Sequence, residues 1–433
     1  MRMARVVMAL IAVMCLAMLA VACGGGEEAG PTPAITPAAA ETPTPGDAEE
    51  VPGITDTQIV IGAHSPLAGA YGAVYSMIPG AQQAYYRYIN ETQGGVCGRE
   101  IVFKVEDDGH DPAQALEATR KLVERDKVFA MVGSLGDHPH SGVWEYLNEE
   151  GIPDILVSVG ASEIAPDPEE YPWTAKMLSS YWGEGHGWGE YISQNLVGDK
   201  VAVLYENSAF GLDGVAGLKE SLDPEKNELV SEQSCETTAV SVRPQVADMK
   251  NAGANLVILF TTPGFTAQAL KEAHRMGWSP QWVLSYVNTD ATMFQFVSPD
   301  LMEGAYSVSS LKLADWTDDP AIAEHHWIMD EYDGPNPANF TVYGQSIAEL
   351  AVEILSRACD DLTRQGLMDA VHSVKDWHSD LLLDGVTITY SETDNVGLGD
   401  AYRTVVAVVE DGKGRWEYFG PLQTPEGPVP EEP

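Results

Sequence analysis

Basic residues are scarce in this 433-residue chain, which carries 24 Lys and Arg against 65 Asp and Glu, a formal net charge of -41. A phosphate backbone needs a basic footprint, so nucleic acid is excluded as a partner. Adaptation to salt and simple solubility both account for the acidity, and the sequence does not separate them. Cysteine is scarce too, with five in all and no CxxC spacing to mark a metal cluster or redox pair. His138-Pro139-His140 and His325-His326 are the dense histidine spots, but no cysteine stands at a zinc-ligand spacing from them. No metal and no cofactor is therefore expected. GxSxG, Walker A and HExxH patterns are also lacking, which leaves little sign of an enzyme.

Long apolar runs are absent after residue 22, so no later segment is expected to span a bilayer. The one long run occupies residues 6–22, preceded by Arg2 and Arg5 and followed by Leu19-Ala20-Val21-Ala22-Cys23 and then Gly24-Gly25-Gly26-Glu27-Glu28. A charged start, a short apolar core and small residues before the cut are what export machinery requires. The end of the run resembles a bacterial lipobox, with Ala20 where Leu is commonest. It implies a leader over 1–22 and a lipid on Cys23. An uncleaved anchor would leave the protein on the same membrane surface. Removing the leader takes two Arg and no acid, leaving 22 basic against 65 acidic residues.

Residues 23–53 hold Pro31, Pro33, Pro37, Pro43 and Pro45 among Ala, Thr, Gly and acids, too little apolar surface to offset ordering entropy. They are expected to form a tether, of which residues 24–50 alone would reach at most about 80 Å. Residues 421–433 have a similar composition and are expected to be a flexible tail. Cys15 leaves with the leader and Cys23 takes the lipid, so Cys97, Cys235 and Cys359 allow at most one disulfide.

The roughly 370 residues between these ends suit two domains. Short unbroken apolar runs recur at Ile59-Val60-Ile61, Ile101-Val102-Phe103, Val128-Phe129-Ala130-Met131-Val132, Ile155-Leu156-Val157, Val201-Ala202-Val203-Leu204 and Leu256-Val257-Ile258-Leu259-Phe260. Such runs indicate strands covered on both faces. Between them lie helical patterns. Asp111 is a cap with Pro112 at the first helical position, and Ala115, Leu116, Thr119, Leu122 and Val123 then share one face. Residues 265–276 and 340–358 read the same way. Strands alternating with helices predict an α/β fold with parallel sheets, whose ligands bind beyond the carboxyl ends of the strands.

Several stretches carry a family resemblance. Ile61-Gly62-Ala63-His64-Ser65-Pro66-Leu67-Ala68-Gly69, Gly94-Gly95-Val96-Cys97-Gly98-Arg99, Asp107-Asp108-Gly109-His110-Asp111-Pro112, Val132-Gly133-Ser134, Ser158-Val159-Gly160-Ala161-Ser162, Asn207-Ser208-Ala209-Phe210-Gly211 and Asp360-Asp361-Leu362-Thr363-Arg364 occur in this order. Together they resemble the leucine/isoleucine/valine-binding branch of the periplasmic solute receptors. The resemblance implies two Rossmann-like lobes with parallel sheets, joined by three hinge crossovers near 172–177, 304–310 and 383–389. Lobe 1 would comprise 54–174 and 308–385, and lobe 2 would comprise 175–307 and 386–420. Gly183, Gly185, Gly187 and Gly189 miss the GxGxxG spacing and are expected to bring the second lobe's first helix close to its sheet. The implied activity is capture of a small solute by lobe closure and delivery, as a membrane-anchored monomer, to the permease subunits of an ABC importer.

By the same resemblance, the loop Ser158-Val159-Gly160-Ala161-Ser162 holds the solute, the backbone amides of Gly160 and Ser162 taking its carboxylate. Consecutive N–H groups at a strand-to-helix turn suit an anion. The Ser162 hydroxyl is a second contact, although an ordinary helix cap would account for it as well. Tyr71 and Phe210 stand in corresponding loops of the two lobes, placed to sandwich a flat or apolar group, with Tyr181 and Trp182 completing the wall.

Two positions depart from the amino-acid receptors. Asp137 stands where they have a hydroxyl, and a carboxylate about 4 Å from a ligand carboxylate costs roughly 4 kcal/mol at an effective dielectric near 20. Either Asp137 turns away and Ser134 or Ser141 substitutes, or the ligand offers a donor. Tyr286 replaces the acid expected to pair with the ligand's ammonium, which suits a neutral polar group or an aromatic ligand. An amino acid-like, apolar or aromatic carboxylate is the expected solute. A sensor reporting to a membrane kinase or chemoreceptor would use the same clamp, and an enzyme acting on a small carboxylate is the third reading.

Overall fold

The computed structural model describes residues 50–399 and 401–424, with the backbone of 427 and 428. The expected leader, the Cys23 lipid site and most of the tether lie outside the described residues. Each apolar run becomes a strand, and others join them. They are β1 (Gln58–Ser65), β2 (Glu100–Asp107), β3 (Ala130–Val132), β4 (Asp154–Val157), β5 (Thr174–Lys176), β6 (Lys200–Glu206), β7 (Glu228–Cys235), β8 (Leu256–Phe260), β9 (Gln281–Leu284), β10 (Tyr306–Ser309), β11 (Tyr402–Glu410), β12 (Lys413–Thr424) and β13 (Gly427–Pro428).

The first sheet has the order β2-β1-β3-β4-β5 and is parallel throughout. The second repeats that order as β7-β6-β8-β9-β10, also parallel. Antiparallel β11, β12 and β13 extend its last edge. Parallel strands with helices on both faces have no wet side, which is why β3, β4 and β8 are buried at every position. Each fully buried Ile or Leu in them contributes about 1.5–3 kcal/mol. The two sheets thus form two lobes of the same Rossmann-like plan.

Local signals act as the sequence suggests. Asp111 accepts from Ala113 N and Gln114 N at 3.0 Å and caps the helix Pro112–Arg120. The helices Pro263–Arg275 and Asn339–Arg357 fill the other two helical stretches. The glycine-rich helix Tyr181–Asn195 packs tightly against the helix Ala209–Ser221 as well as against its sheet, where a Cβ on Gly187 would lie 2.0 Å from the Tyr402 hydroxyl of β11. A Cβ on Gly185 would lie 2.0 Å from Gly214 O, and one on Gly217 would lie 2.0 Å from Trp182 O. Cys97 and Cys359 are bridged and Cys235 is a buried free thiol. The bridge ties the turn before β2 to the end of the helix Asn339–Arg357.

The chain crosses between lobes somewhat later than the family pattern suggests. β5 ends at Lys176 inside the first sheet and the second lobe's helix starts at Tyr181, so the first crossing is 177–180. β10 runs to Ser309 in the second sheet before the chain returns. Val386, Ile388, Tyr390 and Leu398 pack into the first lobe's core, so the third crossing lies between Leu398 and Tyr402 instead of near residue 385. The expected ends are corrected too. Val60 N donates to Gly53 O at 2.8 Å and Val51 packs on the first core, so residues 51–53 belong to the first lobe and not to a loose tether. Residues 421–424 complete β12, with Leu422 buried, where a flexible tail was expected.

Candidate functional site

In both sheets the strand order reverses between the first and third strands, and there the loops diverge and leave a crevice. One cavity of about 160 Å³ lies between the lobes at these ends. The loops after β3 and β4 bring Leu135, Gly136, Asp137, His138 and Ser158 to it. From the second lobe come Glu206, Phe210, Thr262 and Tyr286, each at or just past the carboxyl end of a strand. Tyr181 and Glu184 enter from the first turn of the helix after the first crossing.

Asp137 is nine-tenths buried and fully engaged. Its Oδ1 accepts from Gly160 N at 3.1 Å and Ala161 N at 2.9 Å, and its Oδ2 accepts from the Tyr181 hydroxyl at 2.9 Å. The amide nest expected for a ligand carboxylate therefore holds the protein's own carboxylate. Burial raises the Asp137 pKa, while the Ala161 amide and the Tyr181 hydroxyl oppose that shift. Asp137 lines the cavity with both oxygens bonded to the protein, and neither Ser134 nor Ser141 substitutes for it. Ser134 Oγ accepts from His64 N at 3.4 Å, and Ser141 Oγ donates to His138 O at 2.8 Å.

Ser162 is also committed elsewhere. Its N–H donates to Asp213 Oδ2 at 2.6 Å and its hydroxyl to Asp213 Oδ1 at 2.8 Å. Asp213 sits on the helix Ala209–Ser221 of the second lobe, so the pair bridges the lobes. Gly160 and Ser162 border a separate shallow depression with Lys176, and Gly160, Ala161 and Ser162 do not line the main cavity.

The aromatic wall is real but partly recast. Tyr181 packs on Phe210 at 4.5 Å between centroids and stacks on Tyr286 at 5.5 Å. The Tyr286 hydroxyl donates to Ser179 O at 3.0 Å. Tyr71 instead stacks on His110 at 3.7 Å and reaches Thr237 O across the cleft at 3.5 Å, outside the cavity lining. Tyr75, one helical turn on, takes its place, and Trp182 turns toward His186. Phe340, Tyr343 and Tyr402, which the sequence reading missed, complete the enclosure. Tyr343 donates to Ser158 Oγ at 2.9 Å, which leaves the Ser158 proton free to point inward. No local pattern marks Tyr343, since it occupies mid-helix and meets Ser158 only through the fold.

Two further acids escaped the sequence reading. Glu206 ends β6, is 2 % exposed, and accepts from Thr262 N at 2.6 Å. Burial pushes its pKa up, opposed by Thr262. Its position at a strand's carboxyl end was the available signal. Glu184 accepts from Ser285 Oγ at 2.8 Å and from Tyr286 N at 2.7 Å, fixing the Tyr286 loop.

Behind the cavity floor runs a buried polar chain. Asp108 Oδ2 meets His64 Nδ1 at 2.7 Å, His64 Nε2 meets His140 Nδ1 at 2.9 Å, and His140 Nε2 meets Asp154 Oδ2 at 2.8 Å. These contacts clamp the short helix Asp137–His140 between β1 and β4, and so fix Asp137 in its nest. His325 is held separately, by Gln345 Oε1 and Thr341 Oγ1, both at 2.8 Å.

Two like-ordered α/β lobes closed over a small aromatic cavity define a solute-binding clamp. The sequence profile of the family described as "Periplasmic binding protein" matches residues 58–413, and the chain belongs to that family. An "Amino acid binding protein" of Pseudomonas aeruginosa is 30 % identical over 156 residues, 35 % of this chain and 40 % of that protein's length. "Leu/Ile/Val-binding protein homolog 3" of Brucella melitensis is 22 % identical over 357 residues, 78 % of this chain and 88 % of that protein. Among solved structures, a branched-chain amino acid ABC transporter protein from Thermus thermophilus with bound valine superposes with a TM-score of 0.75 at 20 % identity, covering 86 % of this chain and 97 % of that one. A fatty acid ABC transporter substrate-binding protein from Thermomonospora curvata gives 0.72 at 22 % identity, covering 87 % and 95 %. The family is one of solute-binding rather than enzymatic proteins, and its periplasmic character implies an extracytoplasmic location. Among the described residues no helix is long and apolar enough to cross a membrane.

Proposed function

We propose that the protein is a lipid-anchored receptor, tethered through Cys23, that traps a small, largely apolar solute between its lobes and delivers it to the permease subunits of an ABC importer. It works as a monomer and catalyses nothing. The observation that carries this reading is the Ser162–Asp213 pair, made between the two lobes whose facing loops enclose the aromatic cavity. A contact that exists only when the lobes meet is what couples solute capture to closure. The valine- and fatty-acid-associated relatives favour a solute with an apolar body. Phe210, Tyr181, Tyr286 and Ser158 are the residues assigned to hold it, with Asp137 shaping the floor.

Small-angle scattering of the mature chain, stripped by unfolding and refolding and then returned to the small molecules that copurify with it, tests the clamp. A smaller radius of gyration on return is the expected result; unchanged dimensions and no copurifying molecule would refute it. Mass spectrometry of the membrane-extracted protein checks the anchor, since a diacylglycerol adduct at Cys23 must vanish in Cys23→Ala.

A further inference from the structure

Resting on the receptor reading above, we infer that the solute is an organic amine, bound as its ammonium ion with an apolar or aromatic body, and that Glu206 is the group that receives the ammonium.

Three observations lead there. First, the positions suited to an anion are already filled. Asp137 occupies the amides of Gly160 and Ala161, and Asp213 occupies the amide and hydroxyl of Ser162. A ligand carboxylate finds no amide nest in this loop.

Second, the titratable lining other than tyrosine is three acids with His110 and His138, and burial lowers the His110 pKa toward its neutral form. Asp137, Glu184 and Glu206 line it and no Lys or Arg does. Adding a carboxylate about 4 Å from any one of these, when ionised, costs roughly 4 kcal/mol at an effective dielectric of 20, and adding a cation gains as much before desolvation. Of the three acids, Asp137 spends both oxygens on the protein and Glu184 spends both on the Tyr286 loop. Glu206 is held by a single residue, accepting from Thr262 N through Oε1 and bonding the Thr262 side chain as well, and among the described residues it makes no bond to the cavity loops that hold the other two acids. Its field reaches a ring of the cavity wall, since after burial itself it helps to raise the Tyr75 pKa.

Third, the wall is built of ring faces. Tyr75, Tyr181, Phe210, Tyr286, Phe340 and Tyr343 all line the cavity. Their π faces are negative and attract a desolvated cation by about 0.5–2 kcal/mol each when placed over it. Rings also supply the apolar contact for the solute's body, so one enclosure serves both ends. The surplus of acidic residues on the whole chain adds a field that draws cations and repels anions before contact.

Titration calorimetry with three probes of one shape, phenethylamine, 2-phenylethanol and 3-phenylpropionate, tests the inference on the mature protein. The amine is expected to bind at least about tenfold more tightly than the alcohol, as a hydrogen bond to a charged group predicts, and the carboxylate not to bind. Glu206→Gln is expected to weaken the amine by about tenfold while the alcohol changes less than about twofold. Raising the salt concentration should weaken the amine alone. Tighter binding of 3-phenylpropionate, or equal binding of amine and alcohol, overturns the inference and leaves the receptor intact. Absence of binding by all three also overturns it, while a copurifying neutral or anionic solute that closes the lobes would still uphold the receptor. If Glu206→Gln does not fold, the ranking of the probes on the native protein decides alone.

Discussion

Ser162 and Asp213 face each other across the cleft, and both the N–H and the hydroxyl of Ser162 donate to the same carboxylate, at 2.6 and 2.8 Å. One residue of each lobe is thereby latched to the other. Because the pair is partly exposed, screening reduces it well below a buried charged hydrogen bond, to about 1 kcal/mol. Asp213→Ala should raise the dissociation constant of the copurifying solute by about fivefold, mainly through faster release, with little change in ligand-free thermal stability. Stopped-flow release of solute checks this, and an unchanged release rate would remove the latch from the account.

Asp137 makes a different prediction. Asp137→Ala strands two buried amides and the Tyr181 hydroxyl, so a loss of about 3 kcal/mol or more is expected. The emptied nest should then accept a small external anion, so that formate in the tens of millimolar restores part of the thermal midpoint of the variant and leaves the native protein unaffected. A variant as stable as the native protein, or one indifferent to formate, would show that the nest is not held by Asp137.

The disulfide closes a loop of 262 residues. Chain-entropy arguments assign such a closure up to about 5 kcal/mol. Cys359→Ser should lower unfolding stability by about 3–5 kcal/mol in urea titrations, and a reducing agent should produce a similar loss in the native protein and none in the variant. Equal stability of the two proteins under oxidising conditions is the refuting outcome.

The histidines respond to pH in a defined direction. Burial lowers His110 and His325 to about 4. Their folded values lie below the usual 6.5, so the stability they contribute is fully present above about 6.5 and is lost as pH falls toward about 4. Asp137, Glu206, Asp290 and Glu349 have raised values from burial, and their contribution runs the other way, lost as pH rises through those values. Imidazole resonances of His110 and His325 should therefore hold still between pH 7.5 and 5.5 in NMR titrations. A midpoint near 6.5 for either ring would contradict its enclosure.

Some misreadings share one cause. The hairpin β11–β12 turns at Asp411-Gly412, both with positive φ, and follows the run Val405-Val406-Ala407-Val408-Val409. That is a strong local signal for an antiparallel hairpin, which an expectation of parallel sheets alone does not contain. The turn Gly160-Ala161-Ser162, expected to hold the ligand's carboxylate through the amides of Gly160 and Ser162, holds protein carboxylates instead. What a local reading cannot tell is which anion arrives. Asp137 and Asp213 lie 24 and 51 residues away along the chain from the amides they occupy, and only the fold brings them there.

The sequence by itself determined the alternation of apolar runs and amphipathic helices, and with it the two parallel sheets and the crevice at their carboxyl ends. These follow from short-range periodicity, because burial on both faces demands unbroken apolar strands. It also determined the sign of the molecule's charge. Tertiary structure alone decided that the lobes would be latched by Ser162 and Asp213, that Tyr75 rather than Tyr71 would face the cavity, and that the nest would be filled from within. Those outcomes depend on distances between groups far apart in sequence: Tyr71 and Tyr75 share one helix face a turn apart, and only the packing of the lobes selects which of them lines the cavity.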